Sequence, residues 1–375
     1  MKKLVVLAAG GTGGHLFPAS ALGGELLLRG WAVVLITDRR GSESGASAAL
    51  RDATTYVVSS GTPAGRNLFA AAWVVLQIFA GTCHAWWLLL RLRPAVVVGF
   101  GGYPALPTMW AALQRRIPIL IHEQNAVLGR VNRLLAKHAS GVALSYVETA
   151  RLPTGSAEIV VTGNPIRAEI LGERESAYRP SGDKSHFSVL IIGGSQGARV
   201  FSKVVPEALR LLPDELRRRL EVEQQCRPED RDRIDAEYRR HGIVASCETF
   251  YVDVARRIAD AHVVIARAGA SSVAELACIG RPAILVPLPY AADDHQSANA
   301  QAFASDGAAI VVQEDSEFSA KALAGLLKRL MMDPDALATM AEKARSWGRA
   351  DADIALATFV ERIAGLQGGV EEATS

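Results

Sequence analysis

Cysteine is scarce in this 375-residue sequence, and the four cysteines that occur lie far apart. Cys83, Cys226, Cys247 and Cys278 form no Cys-x-x-Cys motif and have no pair of histidines beside them. This spacing excludes a zinc module and a disulfide-stabilised scaffold. We interpret the four residues as reduced thiols of a cytoplasmic protein.

The sequence also lacks a complete nucleotide-binding fingerprint. Its first apolar run, residues 4–9, is too short for a signal peptide and is predicted to be a strand that ends in the glycine loop of residues 10–14. A dinucleotide-binding loop would have a third glycine where Leu16 stands, and a phosphate-loop lysine is missing. These absences argue against a nicotinamide-dependent dehydrogenase and a phosphate-loop NTPase. Asp38, at the end of the predicted second strand, is accordingly interpreted as a solvated strand end.

Acidic side chains are absent between Asp52 and Glu123. Residues 1–165 contain 15 lysines and arginines against 7 acidic residues, whereas the remainder contains 26 against 32. The arginines of the acid-free stretch are Arg66, Arg91, Arg93, Arg115 and Arg116. A basic and apolar half favours an anionic membrane or a lipid phosphate as partner. We expect no nucleic-acid partner, because lysine clusters and a basic helix with interleaved polar residues are both missing.

Residues 68–90 are almost uninterruptedly apolar and include three tryptophans. As a helix this run is long enough to span a bilayer. However, Gln77, Gly81 and His84 interrupt it, arginines flank both of its ends, and another strand is predicted directly afterwards, at residues 95–98. We therefore predict a helix that packs one face on the sheet and places the other in a membrane surface. Complete burial in the core is the alternative.

Short apolar runs followed by glycine-rich or polar loops recur along the chain, which predicts an α/β fold with parallel sheets. The loops GGY, HEQN and GNPIR follow three such runs, at residues 101–103, 122–125 and 163–167. After a polar linker the pattern restarts, with an apolar run at 188–192 and GGSQGAR at 193–199. The protein is thus predicted to consist of two doubly wound halves, in which ligands collect at the carboxyl ends of the strands.

Residues 263–287 predict a strand–helix–strand unit. The run Val263–Ala266 is typical of a buried parallel strand, Ser271 and Ser272 are good helix caps, and Glu275 lies one turn inside the helix. The amides and partial positive charge of a helix start suit a diphosphate. A carboxylate one turn further in can bind the paired hydroxyls of a ribose. A nucleotide-diphosphate donor site is the first hypothesis, and an ordinary capped helix is the alternative.

Six motifs, in this order, resemble those of the MurG-type bacterial N-acetylglucosaminyltransferases, which convert lipid I to lipid II in peptidoglycan synthesis. They are GGTGGH (10–15), GGY (101–103), HEQN (122–125), GNPIR (163–167), GGSQGAR (193–199) and the helix start at 269–275. The resemblance covers roughly residues 4–360. It implies the GT-B glycosyltransferase architecture, an α/β fold in which two Rossmann-like doubly wound domains face an interdomain cleft.

The resemblance also implies a division of work between the domains. Residues 1–165 would form an N-terminal domain that binds the acceptor and associates with the membrane, and a C-terminal helix at about 347–366 would pack back on it. Residues 166–346 would bind UDP-GlcNAc. The implied partners are UDP-GlcNAc, lipid I, the cytoplasmic face of the bacterial plasma (inner) membrane, where the protein would be peripheral, and a cell-wall or division complex.

Individual site residues follow from the same resemblance. The residues implied at UDP-GlcNAc are Thr12, Gly13, Gly14, Asn125, Arg167, Ser195, Tyr251, Ala270, Ser271, Ser272, Glu275 and Gln296. Tyr251 would contact the uracil through its backbone, Glu275 the ribose, and Gln296 the sugar. Tyr103 and Asn125 would face the acceptor. The departures from residues that relatives often carry are Ala105, Ala268 and His295.

The implied reaction is an inverting glycosyl transfer, in which the C4 hydroxyl of the acceptor attacks the anomeric carbon of an α-linked donor. It requires one general base and stabilisation of the departing UDP. His15 is the first candidate for the base, because the unperturbed pKa of histidine lies near the operating pH. Glu123 is the second candidate. A role for His15 restricted to binding a phosphate or orienting the loop is the alternative.

No metal and no cofactor are expected. The sequence DxD occurs at 230–232 and 351–353, but both copies lie in charged, helical stretches. The helix start at Ser271 can neutralise a diphosphate without a divalent ion. Two other functions stay open: a UDP-GlcNAc 2-epimerase on the same fold, and a non-catalytic sugar-nucleotide-binding subunit, which would not need His15.

Overall fold

The computed structural model describes residues 3–11, 13–43, 50, 53–61, 68–155, 157–182, 185–194 and 198–365. The chain divides into two compact units. Unit one comprises residues 1–167 and 350–375, and unit two comprises residues 168–349. Each unit contains a parallel sheet with helices, which confirms the predicted α/β class with two doubly wound halves. The acceptor and donor roles assigned to the two domains stay predictions.

Unit one is built on a parallel sheet of seven strands within the described residues, in the order β3-β2-β1-β4-β5-β6-β7. The strands are β1 (Leu4–Ala8), β2 (Ala32–Thr37), β3 (Thr54–Val57), β4 (Val96–Gly99), β5 (Ile119–Glu123), β6 (Gly141–Leu144) and β7 (Glu158–Val161). Alternate side chains of a strand point to opposite faces. Val5 and Leu7 accordingly belong to one buried cluster, and Val6 and Ala8 to another. Because both faces are covered, the central strands are continuous apolar runs.

Six helices of unit one occur in the described residues. They are α1 (Gly13–Leu28), α2 (Arg39–Ser42), α3 (Leu68–Leu92), α4 (Gly102–Gln114), α5 (Arg130–Ala136) and α15 (Ala352–Gly365). Helix α15 packs against α1, with Phe359 and Val360 in the same buried cluster as the first face of the sheet. Glu361 of α15 forms an ion pair with Arg29 at 2.7 Å and accepts a hydrogen bond from Trp31 Nε1 at 3.1 Å.

Helix α3 is only partly covered by the rest of unit one. Leu88 and Leu89 are buried against the sheet, whereas Trp73 is 60% exposed and Phe79 is 66% exposed. The alternative of complete burial in the core is therefore wrong. Among the described residues, one helix, Ala71–Leu92, is long and apolar enough to cross a membrane by the criteria of length and composition.

Unit two is built on a parallel sheet of six strands within the described residues, in the order β10-β9-β8-β11-β12-β13. The strands are β8 (Phe187–Ile192), β9 (Leu220–Gln225), β10 (Val244–Glu248), β11 (Val263–Ala266), β12 (Ala283–Leu285) and β13 (Ala309–Val311). The helices are α6 (Ala168–Gly172), α7 (Arg199–Arg210), α8 (Asp214–Arg217), α9 (Arg231–Arg240), α10 (Val254–Asp260), α11 (Ala270–Ile279), α12 (His295–Ala304), α13 (Ala320–Met331) and α14 (Pro334–Trp347). Phe187, Val189 and Ile191 of β8 pack with Phe201 and Val205 of α7 in one large core.

Candidate active site

The first glycine loop is held by a buried aspartate. Strand β1 leads to Gly10 and Gly11, and α1 begins at Gly13. Asp38 Oδ1 accepts hydrogen bonds from the amides of Gly11 and Gly41, each at 2.9 Å. Asp38 is 7% exposed, so its interpretation as a solvated strand end is wrong. Because hydrogen bonds to a charged acceptor are comparatively strong, this carboxylate fixes the loop between β1 and α1.

A second glycine loop brings His15 next to the start of α4. Gly101 and Gly102 have φ angles of 84° and 73°, a region that favours glycine. Helix α4 begins at Gly102 and has no side-chain cap. A Cβ atom at Gly102 would lie 3.3 Å from His15 Cε1, so the imidazole in the first turn of α1 lies directly against α4. Tyr103, the next residue of α4, is thereby brought into the same region as His15.

Glu123 ends strand β5 and organises the HEQN loop. Its Oε1 accepts hydrogen bonds from the backbone and side-chain nitrogens of Asn125, both at 3.0 Å. Its Oε2 accepts from Gly129 N and Asn132 Nδ2, both at 2.8 Å. A carboxylate offers about four acceptor positions. The loop occupies them all, and Glu123 is only 2% exposed.

This arrangement bears on the choice of the general base. Glu123 has no acceptor position left for a substrate hydroxyl, and its charge serves to hold Asn125 in place. His15 is half-exposed in the first turn of α1, where a substrate can approach its ring. The geometry therefore favours His15 over Glu123, and the assignment of either residue stays a prediction.

His122 connects the HEQN and GNPIR motifs beneath this region. Its Nε2 lies 3.0 Å from Gly163 O, and its Nδ1 lies 2.9 Å from Gln124 Nε2. These partners fit a neutral ring that donates from Nε2 and accepts at Nδ1. Complete burial lowers the pKa of His122 to about 4, with a further lowering from the charge of nearby His15. His122 is therefore a neutral structural residue near physiological pH.

In unit two, the amino end of α11 has no side-chain cap. Gly269 is the N-cap residue and the helix begins at Ala270. The prediction that Ser271 and Ser272 cap the helix is therefore wrong, since both lie inside its first turn. The buried hydroxyl oxygen of Ser271 has no hydrogen-bond partner, and the first amides of an α-helix have no acceptor within the helix. These donors at a positive helix end suit a diphosphate.

Glu275 lies one turn further along α11. Positions three and four apart share a helix face, so the side chain of Glu275 follows Ser271 and Ser272 on one side of the helix. Glu275 is half-buried. The structure thus places the proposed ribose contact beside the proposed diphosphate contacts, as the sequence predicts, without testing the role of either.

Helix α12 is tied to the loop that precedes α11. Asn299 is fully buried, and its Nδ2 donates a hydrogen bond to Ala268 O at 3.1 Å. Gln296, the predicted sugar contact, accepts a hydrogen bond from Leu288 N at 3.0 Å through its Oε1. Both side chains therefore position the loops at the ends of β11 and β12.

Arg267 is a positioning residue that no motif reveals. Its Nη1 donates to the carbonyl oxygens of Val286 and Pro287 at 3.0 and 3.1 Å, and it forms an ion pair with Glu314 at 2.5 Å. The side chain is 12% exposed. The signal that could have identified it is an arginine directly after a buried strand, because a buried charge requires partners.

Two further predicted residues, one in each unit, have side chains that pack against neighbours in their own unit. Tyr251 is 5% exposed, its hydroxyl donates to Ser246 O at 3.2 Å, and the Arg257 guanidinium lies 4.3 Å from its ring centroid. Burial raises the pKa of Tyr251. Because the side chain is engaged in this way, the backbone of Tyr251 is the part that can contact a uracil base. Arg167 belongs to unit one, where its guanidinium lies 4.4 Å from the ring centroid of Phe17.

The remaining predicted residues are distributed between the units. Gly13 and Gly14 form the first turn of α1, and Thr12 and Ser195 lie outside the described residues. In the part of the chain that the structure describes, no group of three or more His, Cys, Asp or Glu side chains could hold a metal ion. Independence of metal stays a prediction.

Two doubly wound units, with an uncapped helix start in the second, are the arrangement expected of the GT-B fold. Residues 5–144 match the glycosyltransferase family 28 N-terminal domain, and residues 188–356 match the glycosyltransferase family 28 C-terminal domain. The chain belongs to glycosyltransferase family 28.

Two relatives show which members of this family the chain resembles. One from Paramagnetospirillum magneticum is 49% identical over 360 residues, which covers 96% of both chains. Another, from Chelativorans sp., is 47% identical over 362 residues, again 96% of both chains. Each is named UDP-N-acetylglucosamine–N-acetylmuramyl-(pentapeptide) pyrophosphoryl-undecaprenol N-acetylglucosamine transferase.

Solved structures support the same conclusion about the fold. MurG from Acinetobacter baumannii is 31% identical, with a TM-score of 0.77 over 96% of this chain and 99% of that one. A UDP-GlcNAc 2-epimerase from Neisseria meningitidis has a TM-score of 0.64 over 96% of this chain and 100% of that one, but only 14% identity, so it shares the fold alone. These similarities confirm the MurG-type resemblance and the GT-B fold class.

Proposed function

We propose that this protein transfers GlcNAc from UDP-GlcNAc to the C4 hydroxyl of the N-acetylmuramyl sugar of lipid I, undecaprenyl-pyrophosphoryl-N-acetylmuramyl-pentapeptide, and so forms lipid II. The observation that carries this function is 49% identity, over 96% of both chains, to a relative named for that transfer. The epimerase alternative has a likeness of fold alone at 14% identity. A hexosyltransferase is therefore the favoured enzyme class.

The donor contacts are proposed in unit two. The diphosphate lies at the start of α11, where the amides of Ala270, Ser271 and Ser272 and the Ser271 hydroxyl supply donors. Glu275 accepts hydrogen bonds from the ribose hydroxyls. The positive helix end stabilises the charge that develops on UDP as it departs, and this term is needed most in the transition state.

The acceptor contacts are proposed in unit one, near Tyr103 and Asn125. His15 accepts the proton of the C4 hydroxyl while the oxygen forms its bond to the anomeric carbon. The bond to the UDP oxygen breaks on the opposite side, so the configuration at this carbon inverts. Glu123 keeps Asn125 in position and takes no proton, because its acceptor positions are already occupied.

A peripheral membrane location is proposed from the exposed face of α3. Trp73, Val75 and Phe79 are 60%, 66% and 66% exposed, and they would be buried in the interfacial region of a bilayer. The Arg91 guanidinium lies 3.7 Å from the Trp87 ring centroid, which places a cation beside this face. Anionic lipid attracts such cations at about 1 kcal/mol each near the surface. The cytoplasmic face of the plasma membrane also holds a lipid-linked acceptor.

Co-sedimentation with anionic liposomes tests this location. We expect Trp73→Ser with Phe79→Ser to reduce binding at low salt, while Ile354→Ser, which removes a 50% exposed side chain from α15, leaves it unchanged. Equal binding by all three proteins would exclude the exposed face of α3 as the docking surface. Resistance to alkaline extraction would instead indicate a spanning helix.

The transfer itself is tested with purified protein, UDP-GlcNAc and a lipid I analogue, with product identification by mass spectrometry. We expect a disaccharide product with release of UDP, in the presence and absence of EDTA. Formation of UDP-ManNAc without an acceptor would indicate an epimerase, and donor binding without turnover would indicate a binding subunit. Transfer abolished by EDTA and restored by manganese would overturn metal independence.

A further inference from the structure

An apolar groove lies between α3 and α4 in unit one, apart from the residues assigned to UDP-GlcNAc. Its volume is about 640 Å3, within the range of about 300–1,000 Å3 that is typical of small-molecule sites. Ile78, Cys83 and Trp86 line it from α3, and Leu106 and Trp110 line it from α4. Val75 and Phe79 of the exposed face of α3 also line the groove, so it opens on the same face of unit one as the proposed docking surface.

The lining of this groove suits hydrocarbon. No lining residue in the described part of the chain carries a charge. The hydroxyl of Thr82 already donates to Ile78 O at 2.8 Å, and Gln114 lies at the end of α4 that is remote from Tyr103. A sugar, a nucleotide or a peptide backbone would leave polar groups unpaired here, which is costly. A branched or straight hydrocarbon chain would not.

Helix α4 aligns the groove with the predicted acceptor contact. Tyr103, Leu106 and Trp110 are spaced by three and four residues, so they share one face of the helix. At a rise of about 1.5 Å per residue, Leu106 and Trp110 lie about 4.5 and 10.5 Å along the axis from Tyr103. A ligand with its polar group at the start of α4 can therefore extend an apolar tail along this face into the groove.

We propose that the groove binds the first isoprene units of the acceptor's undecaprenyl chain. This inference rests on the proposed function, in which the apolar chain is joined directly to the acceptor's diphosphate. Trp86 and Trp110 supply large apolar surfaces for contact with the methyl branches of such a chain. The Arg115 guanidinium lies 4.8 Å from the ring centroid of Trp86. An acyl chain of a phospholipid would match the lining but not the alignment with Tyr103.

Cys83 is a native reporter of this groove. It is exposed, whereas Cys226, Cys247 and Cys278 are buried. The maleimide labelling rate of Cys83 in the full chain, followed by peptide mass spectrometry, therefore reports occupancy. With farnesyl diphosphate below its micelle-forming concentration, we expect labelling to slow about tenfold or more, because a covered thiol is closed to the reagent. Inorganic pyrophosphate should leave the rate unchanged.

A straight-chain alkyl diphosphate of equal carbon number is the decisive comparison. Weaker protection by this compound supports a site for isoprenoid, whereas equal protection would overturn the proposal in favour of any hydrocarbon chain. Absence of protection by farnesyl diphosphate would overturn it as well.

A variant that fills the groove tests the same site during transfer. Cys83→Trp places an indole in the groove, and His84→Trp, the matched control, adds one at the exposed neighbouring position outside the lining. For a polyprenyl-linked acceptor, we expect Cys83→Trp to raise KM about tenfold with little change in kcat, since apolar contacts of the tail contribute binding rather than chemistry. An acceptor with a short alkyl tail should be used equally well by both variants.

The outcomes separate this inference from the proposed function. An equal loss with both acceptors, or no loss with the polyprenyl acceptor, would refute the groove as a tail site while transfer persists. Absence of transfer to either acceptor by the unaltered protein would refute the proposed function itself.

Discussion

The loops at the carboxyl ends of the strands are fixed mainly by carboxylate acceptors in unit one and mainly by side-chain donors in unit two, where Gln296, which accepts from Leu288 N, is an exception. In unit one, the buried carboxylates of Asp38 and Glu123 accept hydrogen bonds from loop amides. In unit two, Arg267 and Asn299 donate hydrogen bonds to loop carbonyls, among them Ala268 O. The first arrangement uses amide donors and adds negative charge, whereas the second uses carbonyl acceptors.

This difference bears on where the anionic substrate UDP-GlcNAc is proposed to bind. In unit two, side chains donate hydrogen bonds to loop carbonyl oxygens. The amides at the start of α11 therefore stay available to a diphosphate. When amides are tied to a carboxylate, as in the HEQN loop, the loop is suited to a sugar hydroxyl and a base. The start of α4 lies between the two acid-organised loops in the strand order β1-β4-β5 and has no side-chain cap, which is compatible with the proposed position of the acceptor's diphosphate.

Replacing the unit-one acid should have the largest effect. In Glu123→Gln, an amide group would face the donors of Gly129 and Asn132, so buried donors lose their acceptors. We expect the free energy of unfolding to fall by about 3 kcal/mol or more and transfer to be largely lost as Asn125 moves. Urea unfolding and the transfer assay measure both. Glu148→Gln, at an exposed glutamate of the same unit, is the control; equal stability of the two variants would show that Glu123 does not organise the loop.

Acidification should destabilise unit one through His122. Its folded-state pKa of about 4 lies below its unfolded value of 6.5, so the unfolded chain binds the proton more readily. The contribution of neutral His122 is therefore complete above about pH 6.5, decreases as the pH falls, and is lost below about pH 4. Between pH 7.5 and 5 we expect a loss of about 2 kcal/mol, measured by urea unfolding.

Each unit contains a buried histidine, so the effect of acid on stability can be compared between the two units. Burial also lowers the pKa of His262 in unit two to about 4, where its Nδ1 accepts a hydrogen bond from Ser188 N at 3.0 Å. We expect His122→Gln to flatten the pH dependence of unit one alone and His262→Gln that of unit two alone. Identical pH profiles for the variants and the unaltered protein would contradict the burial of neutral histidines as the cause.

Removing the carboxylate of Glu275 should weaken the binding of UDP-GlcNAc. Glu275→Ala loses a charged hydrogen bond worth roughly 1.5–3 kcal/mol, or about 10- to 150-fold in affinity for UDP-GlcNAc. Calorimetric titration measures the affinity, and thermal unfolding checks the fold. Unchanged affinity would remove Glu275 from the donor site.

The smallest effect is expected at the arginine of unit two. Arg267→Lys keeps a charge beside Glu314 but loses the planar guanidinium, whose Nη1 donates to the carbonyls of Val286 and Pro287. We expect a loss of about 1–2 kcal/mol in stability and a raised KM for UDP-GlcNAc with little change in kcat. Arg256→Lys, at a side chain that is 76% exposed, is the control, and a similar KM in both variants would argue against Arg267 as a positioning residue.

Elements with a strong local pattern could be predicted from the sequence. Strand β11 occupies the predicted residues, Val263–Ala266, and α3 extends two residues beyond the predicted 68–90, because continuous apolar runs with glycine or arginine ends are marked in the chain itself. Helix α11 begins earlier than predicted, at Ala270. Gly269 has the extended conformation of a cap, so the serines lie inside the first turn.

The long-range hydrogen bonds that hold the loops of the site could not be predicted from local patterns. Asp38 reaches Gly11 across 27 residues, and Asn299 reaches Ala268 across 31. Such contacts depend on the order of strands in the sheet and have no periodicity or motif. This is why the sequence pattern predicts a solvated Asp38 and does not indicate the contacts of Arg267.

The division of roles between the units is tested most directly by measuring donor affinity and single-turnover transfer in His15→Ala. At saturating UDP-GlcNAc, we expect transfer to fall about 100-fold or more, the range for loss of a general base, while the donor dissociation constant stays close to that of the unaltered protein. A dissociation constant that rises as much as transfer falls, or transfer that persists, would contradict His15 as the base and return it to binding a phosphate or orienting the loop.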